Sequence, residues 1–425
     1  MILLTVILLI ILIILGLPLF TGILAATLLG LYVSHVDFMA IPIEIFRLAN
    51  APALLAIPLF TFAGYLMAEG GTSTRLVRFS RSLLGWLPGG LGIVTLISCA
   101  FFTAITGATG ITIIALGGLL LPALVAERYD GDFSLGLITT SGSLGLHFPP
   151  SLPLILYGFV SGTSIERLFV AGLFPGIFMI GVLCVFSMYM GRKWKLKRPT
   201  FSAQEFLSAL KEASWELPIP LFIIAGIYSG FSTATESAAL TVGYVLFIKI
   251  FVFHELTLSG DLPRVMKESM KMVGSIMIIL GAALGFTNYL VDAFIPLKIL
   301  NFMEGIVASR IGFLLLLNVF LILVGCMMDI FSAILVVVPL IVPLASKFGI
   351  DPLHLGVVFL ANLGIGYNTP PVGLNLFIAS SRFERPITQI YKATLPFLLI
   401  LIFTLLCITY WPGLSLFLPG MLGLN

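Results

Sequence analysis

The chain has 425 residues, of which 59% are hydrophobic and only 10% charged, with a formal net charge of +3. An ordinary soluble domain carries about 25% charged residues, so a water-soluble fold of this size would lack polar cover for its apolar surface. The near-neutral balance leaves no electrostatic footprint for nucleic acid, and apolar runs spread along the whole chain describe an all-α polytopic membrane protein.

Met1–Ile14 is apolar from its first residue, with no basic stretch and no small-residue cleavage site before Gly16. It reads as a retained first membrane helix. Thr72–Trp86 sets Arg75, Arg78 and Arg81 at three-residue spacing opposite Leu76, Leu83 and Leu84, the pattern of an interfacial amphipathic helix. Its counterpart near Leu297–Ser309 is weaker.

Phe101–Leu121 holds hydroxyls and glycines, Thr103-Ala-Ile-Thr-Gly-Ala-Thr-Gly110, in an apolar context. This predicts the tip of a re-entrant hairpin whose arms run from Leu91 and out through Leu121. Its hydroxyls and freed carbonyls are hard oxygen ligands suited to a small cation. The alternative is close helix packing through small residues. Next comes Ser141-Gly-Ser-Leu-Gly-Leu-His-Phe-Pro-Pro-Ser151. It predicts a helix, an unwound polar linker and a new half-helix starting at the prolines, where missing donors matter least. The free N–H groups of such a half-helix suit a carboxylate. His147 beside this first Pro-Pro is a structural histidine first, with proton coupling as the alternative.

The dense basic run Arg192, Lys193, Lys195, Lys197 and Arg198 places the central loop in the cytoplasm. Glu236, in Thr233-Ala-Thr-Glu-Ser237, and Asp292 read as helix-end or interface residues. Gly260–Met272 reads as a polar amphipathic connector. Gly325-Cys-Met-Met-Asp329 then sets an acid inside the apolar stretch Phe313–Leu344. At bilayer depth such a group costs about 2.5–3.5 kcal/mol, which makes Asp329 a functional candidate; a cap at a helix break is the other reading. A second broken segment follows, Asn362-Leu-Gly-Ile-Gly-Tyr-Asn-Thr-Pro-Pro371, with Asn375 one turn on. The four cysteines lie in apolar runs without metal-ligand spacing.

An ungapped shift of 221 residues lays one half of the chain on the other. Gly64 falls on Gly285, Pro122 on Pro343, Asp130 on Asp351, Gly145 on Gly366, Pro149 and Pro150 on Pro370 and Pro371, and Pro175 on Pro396. Of the eight prolines between 52 and 190, four land on proline where chance would place about 0.45. The matched residues are breakers, and paired broken helices mark the binding site of a transporter. The organisation is then 1–51, N-terminal helix and scaffold; 52–190, first repeat; 191–272, basic loop, scaffold helices and connector; 273–411, second repeat; 412–425, tail. The repeats are expected to be inverted, with the tail on the side opposite the basic loop.

The segments GLHFPPSLPLILYG and GIGYNTPPVGLNLF, Thr233–Glu236, the stretch ending at Asp329, and FGIDPLHLG from Phe348 to Gly356 resemble the large, DctM-like membrane subunit of the tripartite ATP-independent periplasmic (TRAP) transporters. The resemblance spans essentially the whole chain. It implies an elevator-type fold of inverted repeats with two re-entrant hairpins and discontinuous helices in the bacterial inner membrane. It also implies a small four-helix membrane subunit and a periplasmic substrate-binding protein as partners, small organic anions as substrate, and Na⁺ as the coupling ion. Carried onto this chain, the cation positions are Thr103, Thr106, Gly107 and Gly145 in one half and Gly325, Asp329, Gly366 and Thr369 in the other. Substrate is expected near Ser151, Asn368 and Asn375. The first tip departs from the family's Ser-Gly-Ser-Ser pattern: it reads Thr106-Gly-Ala-Thr-Gly-Ile, and Ala108 has no hydroxyl, so carbonyls or Thr109 must substitute.

Proton coupling, or a permease subunit of an ATP-driven importer, are the alternatives within transport. The chain has no Walker A sequence of its own, and no His-Glu metal motif or Gly-x-Ser-x-Gly elbow that would mark an enzyme. A channel would call for a filter shared among several copies.

Overall fold

Every regular element among the described residues is helical. The computed structural model describes residues 17, 19–33, 37–39, 41–43, 46, 51–196, 199–229, 231–294, 298 and 309–423. The expected helix Met1–Ile14, Lys197, Arg198, the side chain of Asp292 and most of the stretch 297–309 lie outside them.

The first half consists of α1 (Leu19–Val33), α2 (Ala56–Ala68), α3 (Thr72–Leu84), α4 (Gly90–Thr106), α5 (Thr109–Ala126), α6 (Gly131–Ser141), α7 (Leu152–Ser161) and α8 (Ile165–Lys193). Between the halves lie α9 (Ala203–Ala213), α10 (Pro218–Tyr228) and α11 (Ala234–Phe247). The second half consists of α12 (Asp261–Asp292), α13 (Arg310–Met327), α14 (Ile330–Lys347), α15 (Pro352–Gly366), α16 (Leu374–Phe383), α17 (Ile387–Tyr410) and α18 (Gly413–Met421). Among the described residues seven helices are long and apolar enough to cross a membrane, or up to eight if α6 and α7, bent by 46° at their break, form one span. The chain is a multi-pass membrane protein.

Helices α4 to α8 recur as α13 to α17 at the offset of 221, and α5 matches α14 residue for residue. The shared breakers have shared work. Asp130 and Asp351 each N-cap the helix that follows, accepting from Phe133 N–H and Leu353 N–H. Pro122 and Pro343, and Pro175 and Pro396, sit inside long helices.

Hydrogen bonds fix the relative direction of the two halves. Gln389 at the start of α17 donates to Asp132 at the start of α6, at 2.7 Å. His354 at the start of α15 lies 3.2 Å from the carbonyl of Thr409, at the end of α17. So α6 and α15 begin at opposite ends of the same helix, and the repeats are inverted. The hairpins follow suit. The base of α4–α5 is joined where Gly92 N–H meets the Tyr129 hydroxyl, beside the start of α6. The base of α13–α14 is closed by Phe313 stacked on Phe348 with centroids 4.4 Å apart. Ile311 there accepts from Tyr410 at the far end of α17. Packing is reciprocal: α5 lies on α16 and α14 on α7, while α6 lies on α17 and α15 on α8.

Helix α3, expected at the interface, has its three arginines in ion pairs with protein carboxylates, Arg75 largely buried and Arg78 and Arg81 exposed. Arg75 binds Glu216 and Glu255, each at 2.5 Å, and lies 3.7 Å over the ring of Phe253. Lys249 donates to Glu255, to Thr72 and to the carbonyl of Glu69 at 2.6–2.7 Å. Arg78 pairs with Glu205 and Glu212, and Arg81 with Glu127. Burial opposes the Glu255 carboxylate, but Arg75 and Lys249 outweigh it and bring its pKa down to about 2. Glu236 forms a capping box with Thr233 at the start of α11.

Two expected boundaries differ. Gly260–Met272 is no separate connector: it leads without a break into the apolar part of α12, since no proline follows Pro263 in that helix. Beyond Pro412 the chain folds as α18, which packs on α8 and sets Ser415 against His354.

Single cysteines at Thr200 and at Leu422 are expected to label from opposite sides of sealed vesicles; labelling from one side would contradict the inverted arrangement. Arg75→Ala leaves the fully buried Glu216 side chain without its guanidinium, and a loss of about 3 kcal/mol is expected, read as a lower thermal midpoint in detergent.

Candidate functional site: two hairpin tips and two unwound linkers

Each broken helix unwinds beside the hairpin of its own repeat. Between α6 and α7 the chain makes a 3-10 turn over Leu144–His147 and then an extended stretch to Ser151. Between α15 and α16 the linker covers residues 367–373. The prolines lie in the linkers, not in the first turn of the new half-helices. A residue before proline is pushed out of the α region, which removes Pro149 and Pro370 from any helix. The Pro149-Pro150 and Pro370-Pro371 bonds are both cis.

The offset mates Gly145 and Gly366 each meet that hairpin at backbone distance. A Cβ on Gly145 would lie 2.3 Å from the Ala100 carbonyl oxygen and 2.5 Å from Thr103 Cβ. One on Gly366 would lie 2.7 Å from Gly325 Cα. Only a residue without a side chain permits these contacts.

At the first tip, α4 ends on Gly107 in a left-handed conformation (φ +66°), its N–H bonded to the Thr103 carbonyl at 2.8 Å. Thr103 Oγ1 is 2.6 Å from Thr112 Oγ1 and donates to the Gly142 carbonyl at 2.9 Å, tying hairpin to linker. The Thr106 hydroxyl bonds back to Phe102 O. At the second tip, Asp329 caps α14, accepting from the N–H groups of Phe331 and Ser332 at 3.0 Å and from the Ser332 hydroxyl. The capping reading of Asp329 holds, and its carboxylate is exposed instead of enclosed. Linker two wraps this tip: Gly373 N–H donates to Cys326 O at 2.8 Å, and the Tyr367 hydroxyl accepts from Ile330 N–H. The Thr369 hydroxyl bonds back to Ile365 O.

The tips thus present hydroxyl and carbonyl oxygen with one carboxylate. Among the described residues no group of three or more His, Cys, Asp or Glu converges. Such a donor set fits a hard cation.

A buried chain of neutral bonds joins the halves. Thr109, first residue of α5, donates to Asn375 Oδ1 at 2.8 Å. Asn375 Nδ2 donates to Asn368 Oδ1 at 3.3 Å, and Asn368 Nδ2 to Ser143 Oγ at 3.0 Å. The first hairpin is therefore bonded to the start of α16, that helix to the second linker, and the second linker to the first. Asn368 and Asn375 are joined, whereas Ser151, its buried hydroxyl without a hydrogen-bond partner, stands outside the chain. Thr109, the hydroxyl next to Ala108, is engaged by Asn375. Sequence reasoning missed Ser143, Thr112 and Tyr367; Ser143 sits in a hydroxyl-rich stretch that offered a signal, and Tyr367 offered none. His147, the offset mate of Asn368, is buried with neither ring nitrogen hydrogen-bonded.

The two sides differ in access. Pro149, Pro150 and Ser151 are buried, whereas Pro370, Pro371 and Val372 are exposed together with Met327 and Asp329. The arrangement presents oxygen ligands, amides and half-helix N-termini, groups that bind ions and anions.

A family model described as tripartite ATP-independent periplasmic transporter, DctM component, matches residues 6–414. The C4-dicarboxylate TRAP transporter large permease protein DctM of Pseudomonas aeruginosa is 36% identical over 387 residues, 91% of this chain and 90% of that protein. The isethionate TRAP transporter permease protein DctMQ of Oleidesulfovibrio alaskensis is 35% identical over 391 residues, 92% of this chain and 60% of that longer protein. The crystal structure of the YdaH transporter of Alcanivorax borkumensis shares the fold, with a TM-score of 0.60 over 88% of each chain at 13% identity.

Gly366→Ala and Gly145→Ala are expected to cut uptake, normalised to membrane expression, by about tenfold or more, because the backbone must give way. Gly364→Ala is the control: its Cβ would find Ser143 Cβ at 3.5 Å, an ordinary contact, and uptake should stay near wild type.

Proposed function

This chain belongs to the DctM component family of the tripartite ATP-independent periplasmic transporters, and we propose that it carries small organic anions into the cell across the bacterial inner membrane in symport with Na⁺. It is a large permease subunit and not an enzyme. The observation that carries the reading is the Thr109–Asn375–Asn368–Ser143 chain, which joins one hairpin tip to both unwound linkers. A cation held at a tip and an anion held between the linkers would act on the same bonds, which is what coupling requires.

In this reading Na⁺ is cargo. Thr103, Thr106, Gly107 and Gly145 supply oxygens for it at the first tip, and Gly325, Asp329, Gly366 and Thr369 at the second. Negative charge at Asp329 favours a cation there. The substrate carboxylate or sulfonate lies near Asn368, Asn375 and Ser151, toward the half-helix N-termini of α7 and α16. C4-dicarboxylate and isethionate, named for two relatives, share small size and negative charge. All three substrate positions are buried, so loading calls for the hairpins and linkers to shift as an elevator against the scaffold around α3. A periplasmic binding protein delivers the anion, and a small four-helix membrane subunit completes the complex; the DctMQ relative, longer than this chain, is consistent with such an association.

The test is uptake by proteoliposomes holding this chain and its small partner, supplied with the binding protein, with and without an inward Na⁺ gradient. Uptake is expected to need both, and uptake driven by a proton gradient alone would replace Na⁺ in the reading. Asp329→Asn isolates the charge, because asparagine caps a helix about as well as aspartate. Ion-dependent transport should fall at least several-fold with membrane insertion intact, and wild-type Na⁺ dependence in that variant would remove Asp329 from the mechanism.

A further inference from the structure

The two repeats solve one packing problem with opposite chemistry. In the second repeat His354 Nδ1 lies 3.2 Å from Ser415 Oγ, and its Nε2 3.2 Å from the Thr409 carbonyl. The offset mates of His354 and Ser415 are Phe133 and Trp194, and these also touch, as an edge-on ring pair with centroids 5.0 Å apart. The polar contacts continue inward. Asn318 on α13 bonds Thr409 Oγ1 at 3.1 Å, and Asn362 on α15 donates to Asn318 Oδ1 at 2.8 Å and to Val358 O at 2.8 Å. All of these side chains are buried. Their mates in the first repeat are Ile97, Ser141 and Met188, and Ser141 bonds only back to its own helix at Leu137.

The junction can therefore be built without side-chain hydrogen bonds between these positions: in the first repeat two of the three mates are apolar and the third, Ser141, bonds its own helix. A buried polar network costs desolvation and stabilises only when every member is satisfied; here Asn362 Oδ1 has no hydrogen-bond partner. The fold has no need of the asparagines. What they do is visible in their position. Asn362 lies one turn before Gly366 on α15, and Asn318 two turns before Gly325 on α13, so the amide pair sits on the seam that ends in the Gly325–Gly366 backbone contact. Amide-to-amide bonding fixes rotation and register along a seam that smooth apolar packing leaves free to slide.

We propose that the Asn318–Asn362 pair, braced by Thr409 and His354, is a positioning clamp. It holds hairpin two on α15 so that the oxygens around Gly325 and Gly366 keep one geometry, and it makes the two cation positions unequal. The first repeat has no such clamp. The proposal rests on the cation-coupled reading above, and its experiment has one arm that does not.

Asn318→Ile installs the residue that the other repeat carries, Thr409→Val removes only the hydroxyl, and Thr409→Ser restores it. In proteoliposomes, Thr409→Val is expected to raise the half-saturating Na⁺ concentration about fivefold, the worth of one buried hydrogen bond, and Asn318→Ile, which loses the bonds to both Thr409 and Asn362, by more. The KM for the loaded binding protein should not change, and Thr409→Ser should behave as wild type. A general loss of fold would move both constants together, and an unchanged Na⁺ dependence in both variants overturns the clamp. Hydrogen exchange of the tip amides 328–330, measured without Na⁺, should speed up in Asn318→Ile and Thr409→Val. Unaltered exchange there overturns the clamp whatever the coupling ion. Na⁺-independent uptake by the wild type would instead count against the sodium reading alone.

Discussion

Backbone N–H and C=O groups cannot go unpaired in hydrocarbon, where each costs several kcal/mol, and this protein breaks its helices at four places. The breaks survive because they satisfy one another. Gly142 in the first linker has its carbonyl met by Thr103 of the first hairpin, and Gly373 in the second linker gives its N–H to Cys326 of the second. Ile330, at the buried start of α14, is met by the Tyr367 hydroxyl. Each hairpin and its linker are therefore a unit that neither half could form alone. Such mutual capping needs backbones at contact distance, and so glycine stands at both Gly145 and Gly366.

Inversion follows from the same constraint at a larger scale. Each unit exposes one arm and one half-helix, and reciprocal packing of α5 on α16 and α14 on α7 covers both. Two like units joined this way are related by a two-fold axis, so each must enter from the opposite end of the fold. The polar chain from Thr109 to Ser143 runs across this junction. Symmetry stops at the side chains: Asn368 is fully bonded while its mate His147 is not, and the aromatic pair of one half faces a histidine–serine pair in the other.

Much of this was legible from the breakers, because proline, glycine and capping aspartate act on the backbone and their positions are held by geometry. The offset of 221, the hairpin tips and the unwound linkers were all read from them. What stayed hidden depends on contacts far apart in sequence. Arg75 finds Glu216 and Glu255 across 141 and 180 residues, so its spacing alone suggested a headgroup-facing helix. Tyr367 acts through a partner on another element, and local pattern carries no trace of it. The start of α7 and α16 was misplaced because the two prolines were weighed as helix starters, while the restriction on the residue before a proline was not.

Charge is distributed unequally between the parts. The ion pairs that tie Arg75 of α3 to Glu216 and Glu255, and Lys249 to Glu255, are multiple and partly buried. The bonds that join the first hairpin tip to the two linkers are neutral, hydroxyl to amide and amide to amide. A buried charge left without its partner costs several kcal/mol, so a contact of the first kind resists separation. A neutral bond nets only about 1 kcal/mol and can be exchanged for water or a ligand oxygen at little cost. A fixed frame and an adjustable site would be built from these two kinds of contact respectively. Asp329 is the one carboxylate set at a tip, and it is exposed at the rim of the open linker, where a cation can reach it without first breaking the neutral chain.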